Sequence, residues 1–191
     1  MKGKAILFST LAIVILFTAA APVFACTPKC VSFTVYVIAP PNPSVPGTTV
    51  PTKDGILSIG TGSIDHEYST LFGSQVAYEK DWFYLNTDSS SPDFLTGYGV
   101  ATAVSSSFVE HDAYKLNGLG LYTYVGPTVT DGITTITSGE ALFGILLSGI
   151  GAIQFTSGPY TGQTAMGTWS GVTVTTSEGS TYIGSGTWFM R

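Results

Sequence analysis

From residue 55 to residue 190 the chain alternates. Short runs in which apolar and polar residues trade places follow one another, each bounded by Gly, Ser, Asn or Asp. A period of two is the mark of a half-buried strand, and nowhere is the 3.6-residue period of an amphipathic helix sustained. The runs cover residues 56–64, 67–72, 75–85, 97–108, 113–124, 133–137, 141–147, 152–156, 163–175 and 181–189, about nine strands if neighbouring runs merge. Such spacing predicts an all-β domain, either a single antiparallel β-barrel or a β-sandwich. The polar stretch 88–93 (DSSSPD) reads as a loop, and Gly126-Pro127 and Asp131-Gly132 read as turns.

Residues 31–38 (VSFTVYVI) form one further strand candidate, with Phe33, Val35 and Val37 on one face. The segment that follows, 39–52, holds Pro40, Pro41, Pro43, Pro46 and Pro51. So many prolines predict a stiff, extended linker that does not pair in a sheet. The first strand is then expected to be tethered at a distance from residues 53–191, the barrel or sandwich domain.

At the N-terminus, Lys2 and Lys4 precede an apolar stretch, 5–17, and Val23-Phe24-Ala25 offers a small residue for signal peptidase. Residues 1–25 therefore read as a secretory signal, with the mature chain starting at Cys26. Left uncut, 5–25 is long enough to cross a bilayer as a tilted anchor, since a span needs roughly 20 apolar residues. Cys26 and Cys30 stand close together in CTPKC. Outside the cell they suit a local disulfide; Cys26 also suits lipidation after cleavage, and the pair is half a zinc site. The expected location is secreted or cell-surface.

Without the signal the chain has five basic residues, Lys29, Lys53, Lys80, Lys115 and Arg191, against twelve acidic ones. Scattered single cations do not bind a phosphate backbone, so nucleic acid is not an expected partner. No motif names a cofactor. A Gly-x-Gly element recurs at the start of strands that end in aromatics: Gly118 to Tyr124 (GLGLYTY), Gly149 to Phe155 (GIGAIQF) and Gly184 to Phe189 (GSGTWF). A dinucleotide fingerprint needs a helix after the turn and none is readable here. The element reads instead as barrel corners, where glycine lets the sheet bend and an aromatic covers the gap.

Residues 149–171 (GIGAIQFTSGPYTGQTAMGTWSG), followed by Gly184-Ser-Gly-Thr-Trp188, resemble the glycine- and aromatic-rich hairpins of allene oxide cyclase-like β-barrels. The resemblance covers about the last third of the chain. It implies a calycin-type barrel with an apolar interior, and carries over no catalytic position.

Two matching tripeptides contain the only histidines: Asp65-His66-Glu67 and Glu110-His111-Asp112. On strands, each histidine would face one way and its two carboxylates the other. Neighbouring strands would then bring His66 and His111 together as a partial transition-metal site, or gather four carboxylates into a calcium-like oxygen site. The plainer and preferred reading makes both tripeptides polar strand ends in water. Glu79 and Asp81 share a strand face around Lys80, a carboxylate pair read as a solvated face. No serine sits in a nucleophile elbow.

Aromatics are the best hint of binding. Trp82, Tyr84, Tyr160, Trp169, Tyr182 and Trp188 are candidates for a stacking platform for sugars or a lid on an apolar cavity; core filling is the alternative. Three functions follow. The first is an exported, non-catalytic barrel binding a small apolar molecule or glycan. The second is a surface fibre subunit that self-associates by donating strand 31–38. The third is a barrel isomerase or cyclase, or a metal-dependent enzyme using His66 and His111.

Overall fold

Alternation along each run becomes an inward and an outward face once the strands pair. The computed structural model describes residues 30–40, 45–176 and 179–190, so the signal expected at 1–25 and the Cys26 side of the expected cysteine pair lie outside the described residues. The strands are β1 (Val31–Ala39), β2 (Thr48–Pro51), β3 (Gly55–Ser69), β4 (Gly73–Asn86), β5 (Thr96–Val104), β6 (Phe108–Thr123), β7 (Val129–Thr130), β8 (Thr135–Ile136), β9 (Ala141–Phe155), β10 (Thr164–Thr176) and β11 (Gly179–Met190). The all-β expectation is met, and of its two forms the barrel is the one observed.

Every pairing is antiparallel, and β3, β4, β5, β6, β9, β10 and β11 follow one another in chain order around the sheet. The ring is closed by β1. It pairs with β11 along its whole length and with β3 over Val35 to Ile38. Two strands carry an extra residue, where register shifts between Ile59 and Thr61 and between Leu116 and Leu119. Gly60 and Gly118 sit at these bulges with φ of 71° and 78°, a left-handed backbone that glycine adopts without a Cβ clash. Such bulges bend long strands, which is what lets a sheet close.

Strand β1 corrects the expectation for the N-terminal segment. It is not held apart by the proline run; both its edges are used within its own barrel. Nor is the linker wholly unpaired. Val45 bridges Gly62, and Thr48 to Pro51 pair with Ile59 to Ile56, so the chain runs on along the same edge of β3 that β1 occupies higher up. Pro51 is tolerated because it ends a four-residue edge strand, where its missing N–H breaks no ladder. The barrel thus takes in β1 and β2 as well as residues beyond 53.

One end of the barrel is plugged. Phe33, Phe108 and Phe155 are buried there, with Phe72 from the β3–β4 turn and Tyr160 from the β9–β10 loop packed on them. Their rings interlock edge-on or tilted, with centroids 5.4 Å apart for Phe72 and Phe108 and 5.6 Å for Phe155 and Tyr160. A second core lies outside the barrel wall. Residues between β6 and β9, including β7 and β8, fold back so that Tyr124, Val129 and Ile136 bury against Ile38, Val172 and Ile183. This flap is pinned by the Tyr68 hydroxyl, which donates to the Thr130 carbonyl. The outer face of β1, at Ile38, is fully buried beneath it.

Candidate functional site

Strand parity decides what enters the barrel. On β4 the inward residues are Ala77, Glu79, Asp81, Phe83 and Leu85, while Tyr78, Lys80 and Trp82 are exposed outside. On β3 they include Ser63, Asp65 and Glu67, and on β6 Glu110, Asp112, Tyr114 and Leu116. Between β4 and β6, strand β5 offers only Ala101 and Ala103 at this level. The register makes two rungs of acid, alanine, acid: Glu79, Ala103, Glu110 and Asp81, Ala101, Asp112. Small residues on the middle strand leave room above them.

Ala77 and Ala103 belong to the buried core, and the other inward residues line a cavity of about 700 Å³. Its wall at β10 and β11 is aromatic, made by Trp169, Tyr182 and Trp188. Towards the mouth it is lined by Leu85, Leu116, Ile145 and Leu147, and exposed Thr175 and Ser180 stand at the rim. The Gly-x-Gly element finds its reason here. A Cβ on Gly149 would strike the Trp169 ring, and one on Gly151 would strike Asp112 and the Trp188 ring. Glycine on β9 is therefore required less for bending than for letting large rings lie across the strand.

Six of the chain's twelve acidic residues face this one space: Asp65, Glu67, Glu79, Asp81, Glu110 and Asp112. No lysine, arginine or histidine among the described residues lines it. Three carboxylates have neutral donors. The Tyr114 hydroxyl donates to Asp81 Oδ1 at 2.8 Å, the Trp169 indole Nε1–H to Asp112 Oδ1 at 2.9 Å, and the Ser63 hydroxyl to Asp65 Oδ1 at 2.9 Å. Glu79 lines the cavity close enough to Asp65 and Asp81 for their charges to act on it. Glu67 is 2% exposed, and its Oε2 has no hydrogen-bond partner.

Six negative charges cannot coexist here. Two carboxylates ~5 Å apart repel by roughly 3 kcal/mol even at an effective dielectric of ~20. Burial therefore pushes Asp65 up to about 6, with the Asp81 charge adding to the rise and the Ser63 hydroxyl opposing it. It pushes Asp112 to about 7 against the pull of the Trp169 N–H. Glu67, Glu79 and Glu110 rise well above the usual glutamate range, first by burial and then by neighbouring carboxylates, and Asp81 rises too. The belt therefore holds protons to higher pH than free carboxyls do, and its members do not all ionise together.

Both preferred readings of these acids are corrected. The two tripeptides lie near strand ends but do not face water, since their carboxylates turn inward, and Glu79 and Asp81 face the cavity instead of solvent. The metal reading of the histidines is also overturned. His66 and His111 alternate with the acids and so face outward, on β3 and β6, which β4 and β5 separate. Exposed His111 contacts Thr102 Oγ1 through Nδ1 at 3.2 Å. No group of three or more His, Cys, Asp or Glu among the described residues is disposed to hold a metal ion, so the calcium-like grouping does not form either.

Of the six aromatic candidates, Trp169, Tyr182 and Trp188 line the cavity. Tyr160 belongs to the plug. Trp82 is on the outer wall, as is Tyr84, whose ring lies 5.7 Å from that of Tyr98. Tyr114 was not singled out in the sequence, although it continues the alternation Glu110, Asp112, Tyr114 that would have found it. No protein-family model, curated protein or solved structure matches the chain.

Proposed function

We propose that this chain is an exported, non-catalytic barrel that encloses a small molecule with an apolar body. The observation that carries this reading is the cavity of about 700 Å³, of a size that buries most of a drug-sized ligand. Its apolar mouth and aromatic wall favour a hydrocarbon or ring system, and its belt of acids supplies a few polar contacts. Export rests on the signal-like residues 1–25. Fibre assembly through strand 31–38 is the weaker alternative, because that strand is already paired on both edges.

A neutral solvatochromic dye tests the reading. It should bind one per chain, with blue-shifted emission, and Ala101→Phe, which fills the space between Asp81 and Asp112, should weaken it at least tenfold. Binding unaffected by Ala101→Phe would put the site elsewhere. Mass spectrometry of the exported protein, expected to start at Cys26, tests the export reading.

One observation favours a second reading. Glu79 faces the cavity, and burial with the neighbouring Asp65 and Asp81 holds its carboxyl well above the usual glutamate range, as a group that protonates a bound molecule requires. A barrel isomerase or cyclase would use it so. Glu79→Gln would then abolish turnover of the bound molecule while leaving it bound.

A further inference from the structure

We infer that the enclosed ligand is an organic cation: an apolar body carrying a protonated amine or guanidinium that lies against the carboxylates of β3, β4 and β6. This rests on the cavity being a ligand site, as proposed above, and adds the chemistry of what enters.

Three features point to it. Around the eight-stranded ring, β10 lies across from β4 and β11 across from β5, so the aromatic wall faces the acidic one. A ligand between them meets rings on one side and oxygen acceptors on the other. Next, the acceptors outnumber the donors. Tyr114, Trp169 and Ser63 each satisfy one oxygen of Asp81, Asp112 and Asp65, while Glu67, which also lines the cavity, has a buried Oε2 without a partner. A buried carboxyl oxygen left unpaired costs free energy until a donor arrives. Finally, no cationic side chain of the described protein lines the cavity. A carboxyl that ionises there has to take its counter-charge from the ligand.

A point cation fits less well than an extended one. No three of the acids among the described residues converge at metal-ligand geometry; they are spread over two rungs and three strands. An ammonium with three N–H donors, or a planar guanidinium with five, can bridge acids that a spherical ion cannot. The apolar mouth formed by Leu116, Ile145 and Leu147 would hold the hydrocarbon part. An anionic ligand is disfavoured by the same belt that attracts the cation.

Binding has a proton balance. The cation arrives charged, a carboxyl of the belt ionises against it, and the carboxyl proton passes to the buffer. Octylammonium, octanol and octanoate share a chain and differ in the head group, so isothermal titration of the full chain with each, at pH 7.5 in two buffers of different ionisation enthalpy, tests the inference. Octylammonium should bind at least tenfold tighter than octanol, with proton release that differs from zero, and octanoate should not bind. Glu67→Gln and Glu110→Gln, both isosteric, should narrow the amine-to-alcohol ratio at least fivefold. Equal or tighter binding of octanol or octanoate would overturn the cation while leaving the cavity reading intact, as would stabilisation by Ca²⁺ where the amine gives none. Failure of all three probes overturns the cation, and the cavity reading falls with it only if the neutral dye also fails to bind.

Discussion

The Trp169 indole reaches across β9 to donate its Nε1–H to Asp112 Oδ1 at 2.9 Å. The contact joins β10 to β6 over a strand that presents Gly149 and Gly151 beneath it. It is the point at which the aromatic wall and the acidic belt meet. Trp169→Phe keeps most of the ring and removes the donor. The loss of a hydrogen bond to a charged or partly charged acceptor should cost about 1–3 kcal/mol in urea unfolding. The same substitution should raise Asp112 above its value of about 7, because the Trp169 N–H is what holds it down. Carboxyl ¹³C chemical shifts followed against pH would read that rise directly.

Gly151→Ala should be worse than its size suggests. The added methyl would meet the Asp112 carboxylate and the Trp188 ring at once. Overpacking of this kind costs roughly 1–3 kcal/mol, and here neither neighbour can withdraw without giving up its own contact. Thermal unfolding should show a loss of at least about 3 °C. An unchanged Tm would mean that the glycines of β9 do not seat the rings.

Stability should fall as pH rises. Asp65, Asp112 and the three glutamates of the belt all have folded values above their unfolded ones, so the folded barrel binds more protons than the unfolded chain at intermediate pH. Their contribution is fully present below about pH 4 and is lost as pH climbs through about 6 for Asp65 and about 7 for Asp112. Tm should drop on the order of 10 °C between pH 5 and pH 8. Glu110→Gln, which cannot ionise, should flatten that slope. A Tm that climbs with pH over the same interval would contradict the buried belt.

The flap over β1 should open on its own. Tyr68→Phe removes the hydroxyl that contacts the Thr130 carbonyl, and hydrogen exchange between 125 and 140 should quicken while the strands of the ring keep their protection. Ile38→Ala acts deeper, at a fully buried side chain shared by β1 and the flap, and should cost about 2–5 kcal/mol.

Much of the fold was legible because period two is local. The runs along β3 to β6 and β9 to β11 could be read from residues a few positions apart, although 56–64 with 67–69, and 141–147 with 152–155, belong to single long strands, and 70–72 form the turn into β4. The closure was not legible. Val35 meets Gly186 and Ser69, and nothing near Val35 in the chain announces either partner. The proline run argued for separation, yet it needed only to keep pace with the edge of β3.

The site was half legible. Alternation correctly set Asp65 and Glu67 opposite His66, and Glu110 and Asp112 opposite His111. Which of those faces turned inward is a tertiary fact, and here it runs against the usual sorting. On β4 the acids Glu79 and Asp81 go in while Tyr78 and Trp82 stay out. Burying acids is ordinarily so costly that a reader of the sequence assigns them to water. The barrel tolerates them by raising their affinity for protons and by aiming tyrosine, tryptophan and serine donors at three of the six.

Tryptophan emission offers the most direct test that the interior is where ligands bind. The chain has three tryptophans; Trp169 and Trp188 line the cavity and Trp82 lies on the outer wall. A bromoalkanol, whose heavy atom quenches only at close range, is titrated against Trp82→Phe and against the double variant Trp169→Phe, Trp188→Phe. The account predicts saturable, one-to-one quenching of the two interior indoles and none beyond collisional background for Trp82. Saturable quenching of Trp82, with Trp169 and Trp188 untouched, would place binding on the outside of the barrel and contradict it.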